Sequence, residues 1–242
     1  YSDWSANFST EVRIGKSDLD ARQESLDAAS GFGEFQITYG PNDDTVYIGP
    51  DDSRQSNDLN WDNLTAKISG TYSLDQPPIT AGYEYEDLNV FNLFVQHTEG
   101  EFRFDSIEDY EQGIADRVYY YNAAGSNNPN DLAAEFSYQV HTLYVQDEYS
   151  FTDIDATLLF GLRYDKYQSD DYPNFNAQFE NRYCFSNQQN LDGVDLLQPR
   201  VGFNWFVDDA LEIRAGFGLY SGGNPNVWLS NSYSNDGITN IG

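Results

Sequence analysis

The sequence predicts an all-β fold: an antiparallel transmembrane β-barrel fragment of about seven meandering strands, with short periplasmic turns and long extracellular loops. Three observations point there. Runs that alternate apolar and polar residues recur along the 242 residues, as strands with two chemically different faces do. The connections between these runs alternate short and long. Aromatics make up 16% of the chain, with 19 Tyr, 16 Phe, 19 Gly and no Met, a balance that favours strands and tight turns over helices.

The first run places Trp4, Ala6, Phe8, Thr10, Val12 and Ile14 on one face and Ser5, Asn7, Ser9, Glu11 and Arg13 on the other. The second sets Leu64, Ala66, Ile68, Gly70, Tyr72 and Leu74 against Asn63, Thr65, Lys67, Ser69, Thr71 and Ser73. The third follows almost at once, with Ile79, Ala81, Tyr83 and Tyr85 opposed to Thr80, Gly82, Glu84 and Glu86. Asp75 to Pro78 is therefore a tight hairpin turn, since proline presets a turn dihedral and cannot donate to a central ladder.

FSYQVHTLYVQDEYSF, 136–151, turns through Thr152, Asp153 and Ile154 into DATLLFGLRYDKY. The parity of the first partner slips between Val140 and Leu143, which suggests a β-bulge. The last pair is LLQPRVGFNWF and ALEIRAGFGLYSGG, joined at Val207 to Asp209; Leu211, Ile213, Ala215, Phe217 and Leu219 oppose Glu212, Arg214, Gly216, Gly218 and Tyr220.

The remaining connections, 15–58, roughly 95–132, 168–194 and 222 onward, are long, acidic and rich in Asn, Asp, Ser and Gly. Short turns thus fall on one rim and long loops on the other, the arrangement of an outer membrane barrel. In such a barrel apolar side chains face lipid and polar ones the lumen, so the mean hydropathy of −0.64 is no obstacle. Tyr72, Tyr83, Tyr85, Tyr149, Tyr164 and Trp205 lie near strand ends, where aromatic girdles sit. A soluble sandwich also alternates. Against it stand Arg13, Lys67, Arg163 and Arg214 on the polar faces and the confinement of the long loops to one end.

Forty acidic against twelve basic residues give a formal charge of −28, which repels phosphates and excludes nucleic acid as a partner. Cys184 has no partner for an internal disulfide, and neither His97 nor His141 has neighbouring ligands at metal-site spacing. The acid-rich stretches PNDDTVYIGPDDS and YQSDDYPN could hold Ca²⁺ through oxygen ligands. Ser106 followed by Ile107, Glu108 and Asp109, with Gly113 as a stop, predicts a short helix over about 107–112. No run is long and apolar enough for a membrane helix, and the first residues lack a signal-peptide pattern. An odd strand count, and an end at NPNVWLSNSYSNDGITNIG without a closing strand, point to a piece of a larger barrel. Its two open sheet edges predict that the piece aggregates on its own.

The segment LYVQDEYSFTDIDATLLFGLRYDKY, 143–167, resembles the YxQDxW/Y-turn-LxxGLRYD hairpin of TonB-dependent outer membrane receptors. Residues 49–115, from GPDDSRQSNDLNWDNLTAKISGTYSLDQPPITAGYEYEDLN onward, and LQPRVGFNWFVDDALEIRAGFGLYSGGNP, 197–225, resemble the Oar-like subfamily more narrowly. The resemblance implies a barrel of about 22 strands around a plugged lumen. It also implies a substrate bound at the outer face and a plug displaced through TonB and its inner membrane partners. The plug, the TonB box and the terminal aromatic strand have no counterpart in these residues. Oar-like members are associated with peptide or protein traffic, which leaves the substrate unknown.

The leading expectation is a TonB-dependent receptor and transporter in the bacterial outer membrane, surrounded by lipid and working by gated binding rather than as an enzyme. Glu84, Glu86, Arg163, Arg200, Glu212 and Arg214 are candidate lumen contacts with plug or ligand. Tyr119, Tyr120, Tyr121, Tyr172 and Phe175 are candidate extracellular contacts, since exposed loop aromatics often bind. Phe179, Tyr183 and Phe185 share that character. Glu84 and Glu86 share a face, but that alone does not make an acid–base pair. The competing readings are a passive porin-like or structural barrel and a soluble secreted β-domain that binds glycans or surfaces.

Overall fold

The computed structural model describes residues 1–26, 28–73, 78–223 and 226–238. In chain order its strands are β1 (Ser2–Ser5), β2 (Phe8–Arg22), β3 (Glu34–Tyr39), β4 (Asp44–Ile48), β5 (Ser56–Tyr72), β6 (Ile79–Val95), β7 (Glu101–Phe104), β8 (Arg117–Tyr119), β9 (Ala134–Phe151), β10 (Ala156–Gln168), β11 (Asp195–Asp208) and β12 (Leu211–Gly218). The helices are α1 (Ile107–Gln112), α2 (Ala177–Tyr183) and α3 (Asn226–Ser234). None is long and apolar enough to cross a membrane, which leaves crossing to strands.

An eight-stranded antiparallel sheet, ordered β1-β2-β5-β6-β9-β10-β11-β12, forms the wall. The count exceeds the expected seven because the first run is two strands: Ala6 and Asn7 form a turn, and Ser2 pairs back onto Thr10. A turn of this length leaves the alternation unbroken, so periodicity alone reads one strand where there are two. Tyr72 pairs with Ile79, while most of the expected turn at 75–78 lies outside the described residues. β9 pairs with β6 and β10 in continuous register through Val140 to Leu143, so the parity slip is not a bulge.

The slip has another cause. Register assigns Leu64, Ala66, Ile68 and Tyr72 of β5 to the outer face, with Tyr83, Leu143, Val145, Leu162, Tyr164, Leu197 and Val201. Toward the long-loop end that same outer row becomes Asp62 and Asp58 on β5, Asp87 and Asn89 on β6, His141 on β9, Lys166 on β10 and Asp195 on β11. On β2 it changes from Val12 and Ile14 to Lys16 and Asp18. The inner face changes the other way, from Lys67, Glu84, Thr142 and Asp165 to Trp61, Leu88, Val140 and Tyr167.

Polarity thus inverts at nearly the same register on six consecutive strands. This is the edge of the hydrocarbon core. Below it lipid stands outside the wall; above it water does, and apolar groups must turn inward. The apolar stretches, such as Leu64 to Tyr72, match the roughly 9–11 residues of a tilted membrane strand. Tyr85 and Tyr164 fall at the upper edge and Tyr72, Tyr149 and Trp205 at the lower, as expected of girdles, whereas Tyr83 pairs with Ile68 nearer the middle of the band. Asp147 interrupts the outer row of β9 and accepts the Glu148 N–H at 2.8 Å.

The upper inner face carries a core of Leu88, Val90, Ala134, Phe136, Tyr138 and Val140, against which Leu229 and Tyr233 of α3 pack. On the outer side Leu93, Val95, Ala123 and Leu132 form a second cluster under the 120–133 segment. Two connections expected as loops instead build a four-stranded sheet, β4-β3-β7-β8, in which β3 and β7 run parallel. Phe35 packs there on Phe102, Phe104 and Tyr110 at 5.3–6.0 Å. Helix α1 matches its expected bounds: Ser106 Oγ accepts the Asp109 N–H at 3.0 Å, and Gly113 ends the helix at φ 70°.

Candidate functional site

The alternation that makes strands also aims a row of charges at the inner face, and register brings rows from five strands together. Arg163 Nη1 donates to Glu84 Oε2 at 2.7 Å and Nε lies 2.8 Å from Asp165 Oδ1. Lys67 Nζ stands 3.6 Å from Glu84 and 3.8 Å from Glu11. Asp165, buried, accepts from Thr142 Oγ1 at 2.7 Å and Gln198 Nε2 at 2.6 Å. Gln198 Oε1 in turn accepts from Arg200 Nη2 at 2.9 Å and from the Ser221 N–H at 2.8 Å. Each of these carboxylates has a cation beside it, which is what partial burial in a narrow wall requires.

Gly82 gives this network its shape. A Cβ there would stand 2.5 Å from the Tyr144 ring, so the missing side chain lets that ring lie across the wall beside Lys67, 5.5 Å from its centroid. A groove of about 350 Å³ runs along Glu11, Lys67, Glu84, Tyr144, Arg163 and Arg200.

Of the six expected lumen residues, the structure joins Glu84, Arg163 and Arg200 in this one network. Glu86 is higher, accepting from Asn63 Nδ2 at 2.9 Å. Glu212 and Arg214 form a separate pair on β12, with Arg214 Nε and Nη2 donating to the two carboxylate oxygens at 2.8 and 2.9 Å. Arg200 is the least satisfied: its guanidinium lies 4.7 Å above the Tyr220 ring, and its shielded Nε lacks a hydrogen-bond partner. Asp165, Thr142 and Gln198 went unnoticed as site residues. Asp165 was detectable, because it follows Arg163 by two positions on the same polar face.

The extracellular aromatics divide. Tyr119 stacks on His97 at 5.5 Å and under Arg103 at 4.8 Å, and Tyr121 packs against the outer cluster. Tyr120 is exposed and donates to Asn127 at 2.5 Å. Tyr172 and Phe175 are exposed, as are Tyr183 and Phe185, which pack around Phe179 at 4.7 and 5.3 Å. Packing thus takes up two of the three consecutive tyrosines and leaves the 172–185 rings at the surface.

Of the acidic stretches, Asp171 is engaged structurally, accepting the Ser137 N–H and hydroxyl, each at 2.7 Å. Asp52 lies beside His97, a residue read from sequence as lacking metal-site spacing; Asp52 comes from a distant segment, while Glu101, also beside the ring, is only a few residues on. His141 has both ring nitrogens engaged, with Tyr83 at 2.7 Å and Gln168 at 2.9 Å.

Compared with known proteins, the chain matches the family model described as an outer membrane beta barrel domain over residues 1–241. No curated protein and no solved structure matches it.

Proposed function

We propose a function from the premise that this chain belongs to the outer membrane beta barrel domain family and so resides in the bacterial outer membrane. It is a wall segment of a TonB-dependent receptor of the Oar-like kind, which moves a substrate across the membrane by gated binding without bond chemistry. A plug and the remaining strands belong to the same receptor, and TonB with its inner membrane partners acts through that plug. The inner-wall network around Glu84, Arg163 and Arg200 is the surface the plug or substrate meets. The acidic loops of the outer face supply carboxylate oxygens for Ca²⁺.

The observation that carries this reading is a helix packed on the upper inner wall. Helix α3 lies against the inner wall above the charged network. Ser230 Oγ accepts from Asn92 at 2.7 Å, Tyr138 donates to Asn226 at 3.0 Å, and the Tyr233 hydroxyl donates to the Asp171 carbonyl at 2.7 Å. Burial holds the Tyr233 hydroxyl above its ordinary pKa, so this contact persists into alkaline solution. A passive pore needs a clear path on its inner face, whereas a receptor binds first and opens later. The resemblance of 49–115, 143–167 and 197–225 to the receptor family supports the same choice.

Conductance of the full-length protein in a planar bilayer tests it. A receptor gives no steady current until denaturant loosens its plug. A steady current from the untreated protein would replace this reading with the porin one. Sequencing the source reading frame tests the domain assignment, which requires a plug-sized domain and further alternating strands.

A further inference from the structure

We propose that Asp52, His97 and Glu101 form a binding site for a zinc-type divalent cation on the extracellular cap. The three residues come from separate elements: the 3-10 turn before β5, the chain just past β6, and β7. One ligand atom from each lies within 4.8 Å of the others. His97 Nδ1 is 3.4 Å from Asp52 Oδ2 and 3.3 Å from Glu101 Oε2. These separations equal the edge of a tetrahedron whose centre is about 2.0–2.1 Å from its corners, the bond length of zinc to imidazole and carboxylate.

Two independent features point to a ligand rather than to a plain ion pair. His97 Nδ1 is shielded from solvent yet has no hydrogen-bond partner, although two carboxylates flank it; a shared cation would satisfy all three groups together. The surroundings also fix the ligands in place, as outer partners of metal sites do. Arg103 binds Glu101 Oε1 and leaves Oε2 toward His97. Glu34, itself buried, accepts the Asp52 N–H at 3.0 Å. The His97 ring stacks on Tyr119 at 5.5 Å, and its backbone stands at φ 62° with the carbonyl accepting from Gly100 and Tyr121. An imidazole with carboxylates suits zinc and its neighbours better than Ca²⁺, which takes oxygen. Bound there, the ion ties the small sheet to the tops of β5 and β6. This inference does not depend on the receptor reading.

The test is Zn²⁺ titration of the tag-free, chelator-treated full-length protein against a chromophoric competitor. One Zn²⁺ per chain is expected at this site. His97→Gln and Asp52→Asn, at partly exposed positions, should each weaken it by more than the roughly 10–100-fold that loss of an outer partner costs. His141→Gln should leave it unchanged. Glu101 is too buried for a clean variant, so the other two decide. Wild-type affinity in His97→Gln, no stoichiometric Zn²⁺ in the wild type, or Ca²⁺ bound as tightly as Zn²⁺ would each overturn the proposal.

Discussion

The membrane band and the extracellular cap are built from the same strands with opposite chemistry. On β5 the outer row reads Ile68, Ala66 and Leu64 in the band, then Asp62, Asn60 and Asp58 above it; the inner row passes from Lys67 and Thr65 to Trp61 and Leu59. Backbone geometry fixes which residues share a face, but not which face is apolar. That depends on what stands against the wall: lipid outside and a wet lumen inside for the band, water outside and α3 inside for the cap.

The largest effects should come from groups deprived of partners by this arrangement. Phe136 is buried in the cap and stacks on Tyr233 at 5.0 Å. Phe160 is exposed on the band's outer face. Phe136→Ala should cost about 3–5 kcal/mol, because the transfer loss adds to a cavity that cannot collapse. Phe160→Ala should cost about 1.5–3 kcal/mol, the transfer term alone, since fluid lipid fills the gap. Urea unfolding of the full-length protein in lipid vesicles measures both; equal losses would mean the outer face is not bounded by lipid.

Arg163→Leu probes the inner wall. It removes the cation between Glu84 and buried Asp165, and should cost about 3 kcal/mol, the lower end for breaking a buried pair. The Arg163→Leu, Glu84→Gln double variant should recover part of that loss, by removing a carboxylate left with Lys67 alone at 3.6 Å. No recovery would mean Glu84 is solvated by the lumen and gains little from the arginine.

A single charge locates the boundary itself. Ile68→Arg, at the centre of the β5 band, should destabilise by about 2–4 kcal/mol, as cations do near the bilayer midplane. Asn89→Arg, on the outer face above the inversion, should stay within about 0.5 kcal/mol. If the two costs match, the inversion line is not the edge of the hydrocarbon core.

Legibility from sequence divides at the same line. In the band a strand has solvent of one kind on each side, so strict alternation holds and the hairpins can be read directly. In the cap the apolar face changes sides, and the reading broke down there: Val140 to Leu143 looked like a bulge, and 15–22 looked like loop. Phe35, Phe102 and Phe104 gave no warning of a second sheet, because β3 and β7 are short and pair in parallel across a long sequence separation. Arg163 and Glu84 were identifiable by parity. The meeting of Asp52 with His97 and Glu101 was not, since Asp52 is brought to them from a distant segment and only the His97–Glu101 spacing is local.

Helix α1 is the exception within the cap, and its smaller effect isolates local from tertiary coding. Its ends are set by Ser106 and Gly113 alone: the Ser106 hydroxyl accepts the Asp109 N–H, and the Gly113 N–H closes the last turn at a positive φ that a side chain disfavours. These contacts are local in sequence, so they were readable without the fold. Ser106→Ala should cost about 1 kcal/mol, and the cost should appear as faster hydrogen exchange confined to 107–112, with band amides unaffected. Protection lost across β3 and β7 as well would show that α1, through Tyr110 packed on Phe35 and Phe104 at 6.0 and 5.3 Å, holds the cap sheet together rather than resting on it.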